Sequence, residues 1–414
     1  MNTKPINVCY LTYDGLTDPL GQSQILPYLQ GLSKAGYQIT IISFEKPERF
    51  ESLHLTISAI VKAASITWIP FFYSKRPPVL STVYDLLRLR FKVKALHRQQ
   101  AFQLIHCRSY LTALIGLHMK RKMNVPFLFD MRGFWADERI DGGIWKLSNP
   151  VYRYIYNFFK KQERAFFETA DHVVSLTESG KNEILSWTNL KVKPSIEVIP
   201  CCVDTNLFDE KQLNKEKLQA LKHSLQPTDA PLLSYIGSIG TWYLLTEMLE
   251  FFRLFLVRYP KANFVFVTPE PPELVYKESD ALGIDRERLI ICFANRKEVP
   301  YYIAACTYSL FFIKQAYSKL ASSPTKQGEI MALGKSLICN AGVGDTASIV
   351  EKYKAGYVLQ GFSEPEMTAT IDAIVAAKDS FDPQEIRNGA IAFYGLAEGI
   401  RKYQYLYEKL TAGK

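Results

Sequence analysis

The sequence predicts an α/β protein built from two Rossmann-like domains facing each other across an interdomain cleft, and three observations lead there. The chain has 414 residues, and at about 100–200 residues per domain that length favours two compact domains over one. Short apolar runs alternate with helical stretches in two separate series, the first within residues 8–199 and the second within 232–359. Between them lies a polar segment, rich in Lys, Gln and Asp, that carries no strand-like run.

The first series opens with a strand at residues 8–12, a loop at 13–21, a helix over about 22–36 and a return strand at 38–43. Strand, helix entered from a Gly- and Ser-containing loop, and return strand make the βαβ unit of a doubly wound sheet. Residues 104–107, 127–131, 172–176 and 196–199 continue the rhythm as continuous apolar runs, the pattern of parallel strands buried on both faces. The second series places strands at 232–237, 263–268, 289–293, 309–313, 336–340 and 356–359. Residues 365–410 read as helical throughout, with Tyr394, Tyr403, Tyr405 and Tyr407 available to pack back across the domain junction. The expected organisation is an N-terminal domain over 1–204, a linker over 205–229, a C-terminal domain over 230–385, and a C-terminal helix over 386–414 returning toward the first domain.

Hydrophobic residues at 48% and charged residues at 22% fit a soluble globular protein rather than a disordered or fibrous one. The formal net charge of +9 favours anionic partners, whether nucleotide, nucleic acid or acidic phospholipid. No run of about 20 apolar residues is present to span a bilayer, and residues 1–6 are polar and lead straight into a strand, so neither a membrane span nor a signal peptide is expected and the protein reads as cytoplasmic. The seven cysteines are odd in number and form no CxxC pair, so they are expected to be reduced packing residues without a metal or disulfide framework.

The loop leaving the first strand, Asp14-Gly15-Leu16-Thr17-Asp18-Pro19-Leu20-Gly21-Gln22-Ser23, is the first candidate for chemistry. Gly21 permits a close backbone approach, free N–H groups at a helix start favour a phosphate or polar sugar, and Asp14, Asp18 and Gln22 supply polar side chains. A plain strand-to-helix turn explains the same residues. The loop is not GxGxxG, so a dinucleotide oxidoreductase gains no support.

The second candidate is the run from Ser322 to Ile338, reading SSPTKQGEIMALGKSLI. It resembles the donor-binding segment of glycosyltransferase family 4, in which a loop enters a helix whose glutamate clasps the ribose hydroxyls of a nucleotide sugar. Glu329 matches the second glutamate of that family's paired motif, and Gly334 matches the glycine that closes the helix. The residue types suit the role: a carboxylate accepts two hydrogen bonds from a vicinal diol, while Lys326, one turn earlier, neutralises a diphosphate with the hydroxyls of Ser322, Ser323 and Thr325. The bland reading is a capped surface helix. Residues 196–208 resemble the family's inter-domain signature, and residues 233–240, which include Gly237 and Ser238, its donor-domain glycine loop.

The departures from the family are specific. Its first glutamate falls on Ala321, and the basic residues usual after the glycine loop are replaced by Ser238, Thr241 and Trp242, leaving Lys326, Lys319 and Lys314 as phosphate ligands. The family's histidine after a middle strand is absent from Phe129-Asp130-Met131-Arg132-Gly133-Phe134-Trp135-Ala136-Asp137-Glu138. There Arg132 is placed to face the donor or an acceptor phosphate, and Asp130, Asp137 and Glu138 to orient acceptor hydroxyls. Gly344 is a further candidate for approach to the sugar or phosphate, and Arg296 for the border of the base pocket.

The resemblance implies the GT-B fold and a nucleoside-diphosphate sugar as donor substrate, with no other cofactor. With Arg132 added from its place at a strand's carboxyl end, the expected catalytic set is Arg132, Lys326 and Glu329; the resemblance implies retention of configuration and, with the basic-aromatic segments, a saccharide or lipid-linked saccharide acceptor in cell-surface polysaccharide synthesis. No DxD motif is present, so no metal is expected. Basic and apolar residues interleave at 71–76, 86–98 and 152–167, which suits peripheral contact with an anionic membrane. Nucleic acid is disfavoured because no recognised binding motif accompanies the charge. The competing readings are a two-domain sugar-nucleotide epimerase and a catalytically silent sugar-nucleotide-binding protein.

Overall fold

A computed structural model of the chain describes residues 6–377 and 381–412. Residues 1–5, which carry most of the polar N-terminus, and 378–380, inside the expected C-terminal domain, lie outside the described residues, as do 413–414. The chain divides into two compact units, one formed by Met1–Pro200 with Leu396–Lys414 and the other by Cys201–Gly395.

The first unit runs β1 (Ile6–Thr12), α1 (Pro19–Gln24), α2 (Leu26–Lys34), β2 (Tyr37–Glu45), α3 (Pro47–Ala63), β3 (Thr67–Phe72), α4 (Leu80–Gln100) and β4 (Leu104–Arg108). It continues with α5 (Ser109–Met123), β5 (Phe127–Asp130), α6 (Trp135–Asp141), α7 (Pro150–Thr169), β6 (His172–Ser175), α8 (Glu178–Ser186) and β7 (Ile196–Val198). The seven strands form one sheet in the order β3-β2-β1-β4-β5-β6-β7, every pairing parallel. The strand order reverses beside β1, so the crevice at the carboxyl ends of β1 and β4 is the topological switch point where such sheets bind ligands.

Two features of this unit differ from the sequence reading, each for a local reason. The single helix expected over about 22–36 is broken into α1 and α2 at Ile25 (φ −125°), two residues ahead of Pro27 in the first turn of α2; proline offers no N–H and crowds the preceding turn. Strand β3 went unrecognised because Pro70 interrupts its apolar run, and it is tolerated because β3 pairs only with β2 at the sheet edge.

The second unit follows a 3₁₀ turn (Glu210–Gln212) with α9 (Lys215–Leu225), β8 (Leu232–Ile236), α10 (Leu245–Arg258), β9 (Asn263–Val267), α11 (Pro272–Ala281), β10 (Leu289–Cys292) and α12 (Val299–Ala305). Then come β11 (Tyr308–Phe311), a 3₁₀ turn (Tyr317–Ala321), α13 (Thr325–Ala332), β12 (Ser336–Asn340), α14 (Thr346–Lys352), β13 (Gly356–Leu359), α15 (Glu364–Ala377) and α16 (Pro383–Tyr394). Its parallel sheet has the order β10-β9-β8-β11-β12-β13, with the switch point between β8 and β11. Residues 205–229 hold α9, whose Leu218 and Leu225 join the core of this unit. On α10 the rings of Phe251, Phe252 and Phe255 are fully buried, the arc that an amphipathic helix turns to its sheet.

The last helix, α17 (Leu396–Thr411), belongs to the first unit. Of the four tyrosines singled out above, Tyr403 and Tyr407 are buried on α17, Tyr394 is buried in the core of the second unit, and Tyr405 is exposed. All seven cysteines are free thiols.

Candidate functional site

In the second unit the site grows from the switch point. Tyr235 stands on β8, and the chain leaves that strand through Gly237, whose φ of 121° is a left-handed conformation that side chains disfavour. A Cβ at Gly237 would sit 3.3 Å from Lys326 Nζ, so glycine there leaves room for the lysine head. Lys326 lies in the first turn of α13, and its Nζ sits 4.2 Å from the ring centre of Tyr235, 3.5 Å from that of Tyr243 and 6.0 Å from that of Phe311 at the end of β11. The residue is half-buried, but its nitrogen is shielded from solvent and has no hydrogen-bond partner among the described residues.

Burial holds the Lys326 amine well below the usual lysine range, and nearby Glu329 opposes that only in part. Burial also pushes the Tyr243 phenol up to about 12, so the ring faces around the amine are those of a neutral phenol. An ammonium gains from such faces, but three unaccepted N–H donors in a dry site call for an acceptor.

Glu329 stands three residues on, its side chain 7% exposed and ion-paired with Arg296, whose guanidinium also stacks 4.7 Å from the ring centre of Phe208. The sequence-chosen Arg296 and Glu329 are thus brought together. Ser323 is engaged by the chain itself, accepting a hydrogen bond from the Cys201 N–H at 3.2 Å. Ser238 is exposed and its carbonyl accepts the Tyr235 hydroxyl at 2.7 Å. The Gly344 N–H donates to the Lys319 carbonyl at 2.8 Å, while the Lys319 ammonium lies 3.6 Å from the ring centre of Trp242. Ser322 and Thr325 are half-buried at the entry to α13. Ala321, where the family's first glutamate would fall, is fully buried in the preceding 3₁₀ turn, so a carboxylate there would be a buried charge.

In the first unit three of the chosen residues converge at the carboxyl ends of β1, β4 and β5. Asp130 is 1% exposed; its Oδ1 lies 3.8 Å from Arg132, its Oδ2 lies 3.9 Å from Arg108, and it accepts the Tyr403 hydroxyl at 3.1 Å. Burial works against its charge, but Arg132, His106 at 3.6 Å and Arg108 outweigh it and hold the carboxyl at about 2. Arg108 also pairs with Asp14 at 3.3 Å. Arg132 adopts φ 59° and Gly133 φ 125°, a left-handed pair that turns the chain sharply off β5. His106 is buried against Tyr407, whose hydroxyl meets Nδ1 at 2.8 Å, and burial lowers its pKa. Asp130 therefore anchors two arginines from below rather than presenting a free carboxylate.

The other candidates in this unit stand apart from that cluster. Asp18 is paired with Lys46 at 3.0 Å and Arg49 at 3.2 Å. Gln22 donates to the Thr17 carbonyl at 3.1 Å. A Cβ at Gly21 would fall 2.1 Å from the Gly15 carbonyl, so the close approach that requires glycine there is made by the chain's own loop. Asp137 accepts from Tyr156 and Lys160 on α7, both at 2.8 Å, and Glu138 lies half-buried on α6.

Sequence reasoning missed Arg108, His106, the Tyr235 and Tyr243 rings, and Glu45. Glu45 is fully buried and accepts from the N–H groups of Leu16 and Thr17 and the hydroxyls of Thr17 and Ser43, at 2.5–3.1 Å, clamping the loop after β1. Arg108 was legible as a charge closing the apolar run 104–107 at a strand's carboxyl end. The rings and Glu45 act only through tertiary contact. Among the described residues no group of three or more His, Cys, Asp or Glu is placed to hold a metal ion, and no helix is long and apolar enough to cross a membrane.

Residues 24–207 match the sequence profile described as Glycosyltransferase Family 4. No curated protein matches the chain significantly. Among similar solved structures is a glycosyltransferase from Rickettsia africae ESF-5, 15% identical with a TM-score of 0.75 and 100% of both chains covered. Another is HepE of Anabaena in complex with UDP-glucose, 12% identical with a TM-score of 0.70, covering 98% of this chain and 100% of that one. A protein described as a UDP-N-acetylglucosamine 2-epimerase from Listeria monocytogenes is 11% identical with a TM-score of 0.60, covering 100% of this chain and 98% of that one. At these identities the likeness is one of fold. Residues 24–207 are thus similar to glycosyltransferase family 4, and the two Rossmann-like units have the GT-B fold.

Proposed function

We propose that the protein is a glycosyltransferase of hexosyltransferase type that moves a sugar from a nucleoside-diphosphate sugar to a saccharide or lipid-linked saccharide in cell-surface polysaccharide synthesis. The second unit takes the donor and the first the acceptor. The observation that carries this reading is the Lys326 amine, shielded and without an acceptor at the switch point of the second sheet, with Glu329 one turn further along the same helix. A diphosphate supplies the missing acceptor, and the Glu329 carboxylate suits the ribose diol, sharing or displacing Arg296.

Catalysis in this reading is stabilisation of the leaving group. Negative charge grows on the departing diphosphate as the glycosidic bond breaks, and a protonated Lys326 with the N–H groups at the start of α13 is fixed in advance to meet it. The phosphate charge itself favours the protonated amine and so opposes the effect of burial. Arg132, with Arg108 beside it, is assigned to a phosphate on the acceptor side. Retention of configuration and operation without a metal complete the proposal, as does peripheral contact with the cytoplasmic face of an anionic membrane.

The test is a panel of nucleotide sugars incubated with and without saccharide acceptors, following nucleoside-diphosphate release and the anomeric signals of the product. Acceptor-dependent release with retained configuration supports the proposal. Isomerisation of the donor without acceptor would establish the epimerase reading, to which the Listeria likeness lends only fold. Binding without turnover across acceptors would establish a silent nucleotide-sugar-binding protein.

A further inference from the structure

Helix α4 carries apolar residues on two opposite arcs. Leu89, Val93 and Leu96 are buried together with Ser81 and Asp85, at intervals of four, four, four and three residues. Leu80, Tyr84, Leu87 and Phe91, at intervals of four, three and four, form a second stripe that faces outward, with exposures of 64%, 56%, 45% and 68%, and Val83 at 47% lies beside it. One helical stripe accounts for packing on the unit. The second leaves large side chains exposed, on a helix of 21 residues.

Charge tells what covers this stripe. The helix bears five basic residues, Arg88, Arg90, Lys92, Lys94 and Arg98, against a single acid, Asp85. That acid is buried and consumed by Arg88, Tyr13 and Ser74. Arg90, Lys92, Lys94 and Arg98 form no ion pair among the described residues. On a helical projection Arg90 flanks the apolar stripe, while Lys94 and Arg98 continue it toward the C-terminal end. An apolar strip with unpaired cations along its side and end matches an acyl layer beneath a plane of anionic headgroups, whereas a self-association face would set these like charges against one another.

We infer that α4 is the membrane-contacting element of this protein, lying in the plane of an anionic bilayer with Leu80, Tyr84, Leu87 and Phe91 in the interface and Arg90, Lys94 and Arg98 at the headgroups. The inference deepens the membrane placement proposed above, yet it stands on the first unit alone, so it can fail while sugar transfer holds.

The test is co-sedimentation of the full chain with vesicles of phosphatidylcholine and of phosphatidylcholine mixed with phosphatidylglycerol, at low and high salt. The native chain is expected to bind the mixed vesicles and to release as salt rises. The pair Leu87→Glu and Phe91→Glu is expected to weaken that binding at least about tenfold, and Arg90→Glu with Lys94→Glu to weaken it while reducing its salt dependence. These side chains face outward or flank the stripe, so circular dichroism and nucleoside-diphosphate binding should be unchanged in both variants. Binding to mixed vesicles that neither pair alters would overturn the inference. So would a native chain that ignores vesicles and instead forms a dimer that Leu87→Glu with Phe91→Glu dissociates.

Discussion

Replacing Lys326 with Met is expected to stabilise the second unit while destroying its affinity for a diphosphate. The amine has no hydrogen-bond acceptor among the described residues and is enclosed by Tyr235 and Tyr243. Leaving a polar group buried without a partner costs about 1–3 kcal/mol, while the ring faces return about 0.5–2 kcal/mol to an ammonium. Because burial outweighs the pull of Glu329 and lowers the amine's pKa well below its ordinary 10.5, the cost is the larger quantity. Methionine keeps the stem packed and adds sulfur–ring contacts of about 0.3–1.5 kcal/mol. The net gain should be about 1–2 kcal/mol, which for a unit of this size moves the thermal midpoint up by about 2–8 °C.

The pH dependence fixes the sign. With a folded-state pKa below the unfolded one, the unfolded chain takes up this proton first as pH falls, so wild-type stability from Lys326 is fully present only above about 10.4 and declines below it. Calorimetric scans at pH 7.5 and 9.5 should therefore show a stability gap in favour of Lys326→Met that narrows at the higher pH. A variant less stable than wild type at pH 7.5, or a gap that widens with pH, would refute the reasoning. In the same scans UDP should raise the wild-type midpoint and leave that of the variant in place.

Three further outcomes are expected. Glu329→Gln keeps the side-chain shape but removes the charge that faces Arg296; hydrogen bonds to charged groups contribute about 1.5–3 kcal/mol each, so nucleoside-diphosphate affinity in calorimetry should fall about 10–100-fold. Glu163 is buried, accepts from the Tyr110 hydroxyl and lies 2.5 Å from Lys160, and burial raises its carboxyl from 4.5 to about 6. A raised acid favours folding fully below its unfolded value and loses that contribution as pH rises through about 6, so urea unfolding at pH 5 and 7.5 should show a decline in wild type that Glu163→Gln lacks. Asp130→Asn leaves Arg108 and Arg132 without their shared anion and should cost the first unit about 3–5 kcal/mol in urea unfolding at neutral pH. That contribution is present above the ordinary carboxyl range and is lost as pH falls through about 2.

What the sequence made legible is what depends on periodicity and on local residue type. Strands β12 and β13 occupy the expected residues 336–340 and 356–359, and the other expected strands differ by a residue or two at their ends, because continuous apolar runs between helical stretches admit few other readings in a parallel sheet. The loop and helix of Lys326 and Glu329 were likewise visible, since Pro324, the small polar residues before it and Gly334 punctuate them. What stayed hidden required tertiary contact. That Arg296 reaches Glu329, that two tyrosines enclose Lys326, and that Asp130 lies beneath Arg108 and Arg132 join residues up to 91 positions apart (Tyr235 to Lys326), which no local pattern encodes. The loop 14–23 carried polar residues suited to a ligand, but Asp18 and Gln22 are spent on holding the fold. The basic and apolar residues of 86–98 were visible on α4, but which of them face outward was not, because two apolar arcs on one helix blur its periodicity.

Lys326 and Glu329 are the residues proposed to bind the diphosphate and ribose of a nucleotide sugar. The decisive measurement is isothermal titration of UDP and UDP-glucose into the full chain and its Glu329→Ala and Lys326→Met variants at pH 7.5. Wild type should bind both nucleotides, and each variant should bind at least about tenfold more weakly. Equal affinities in all three proteins would contradict that assignment.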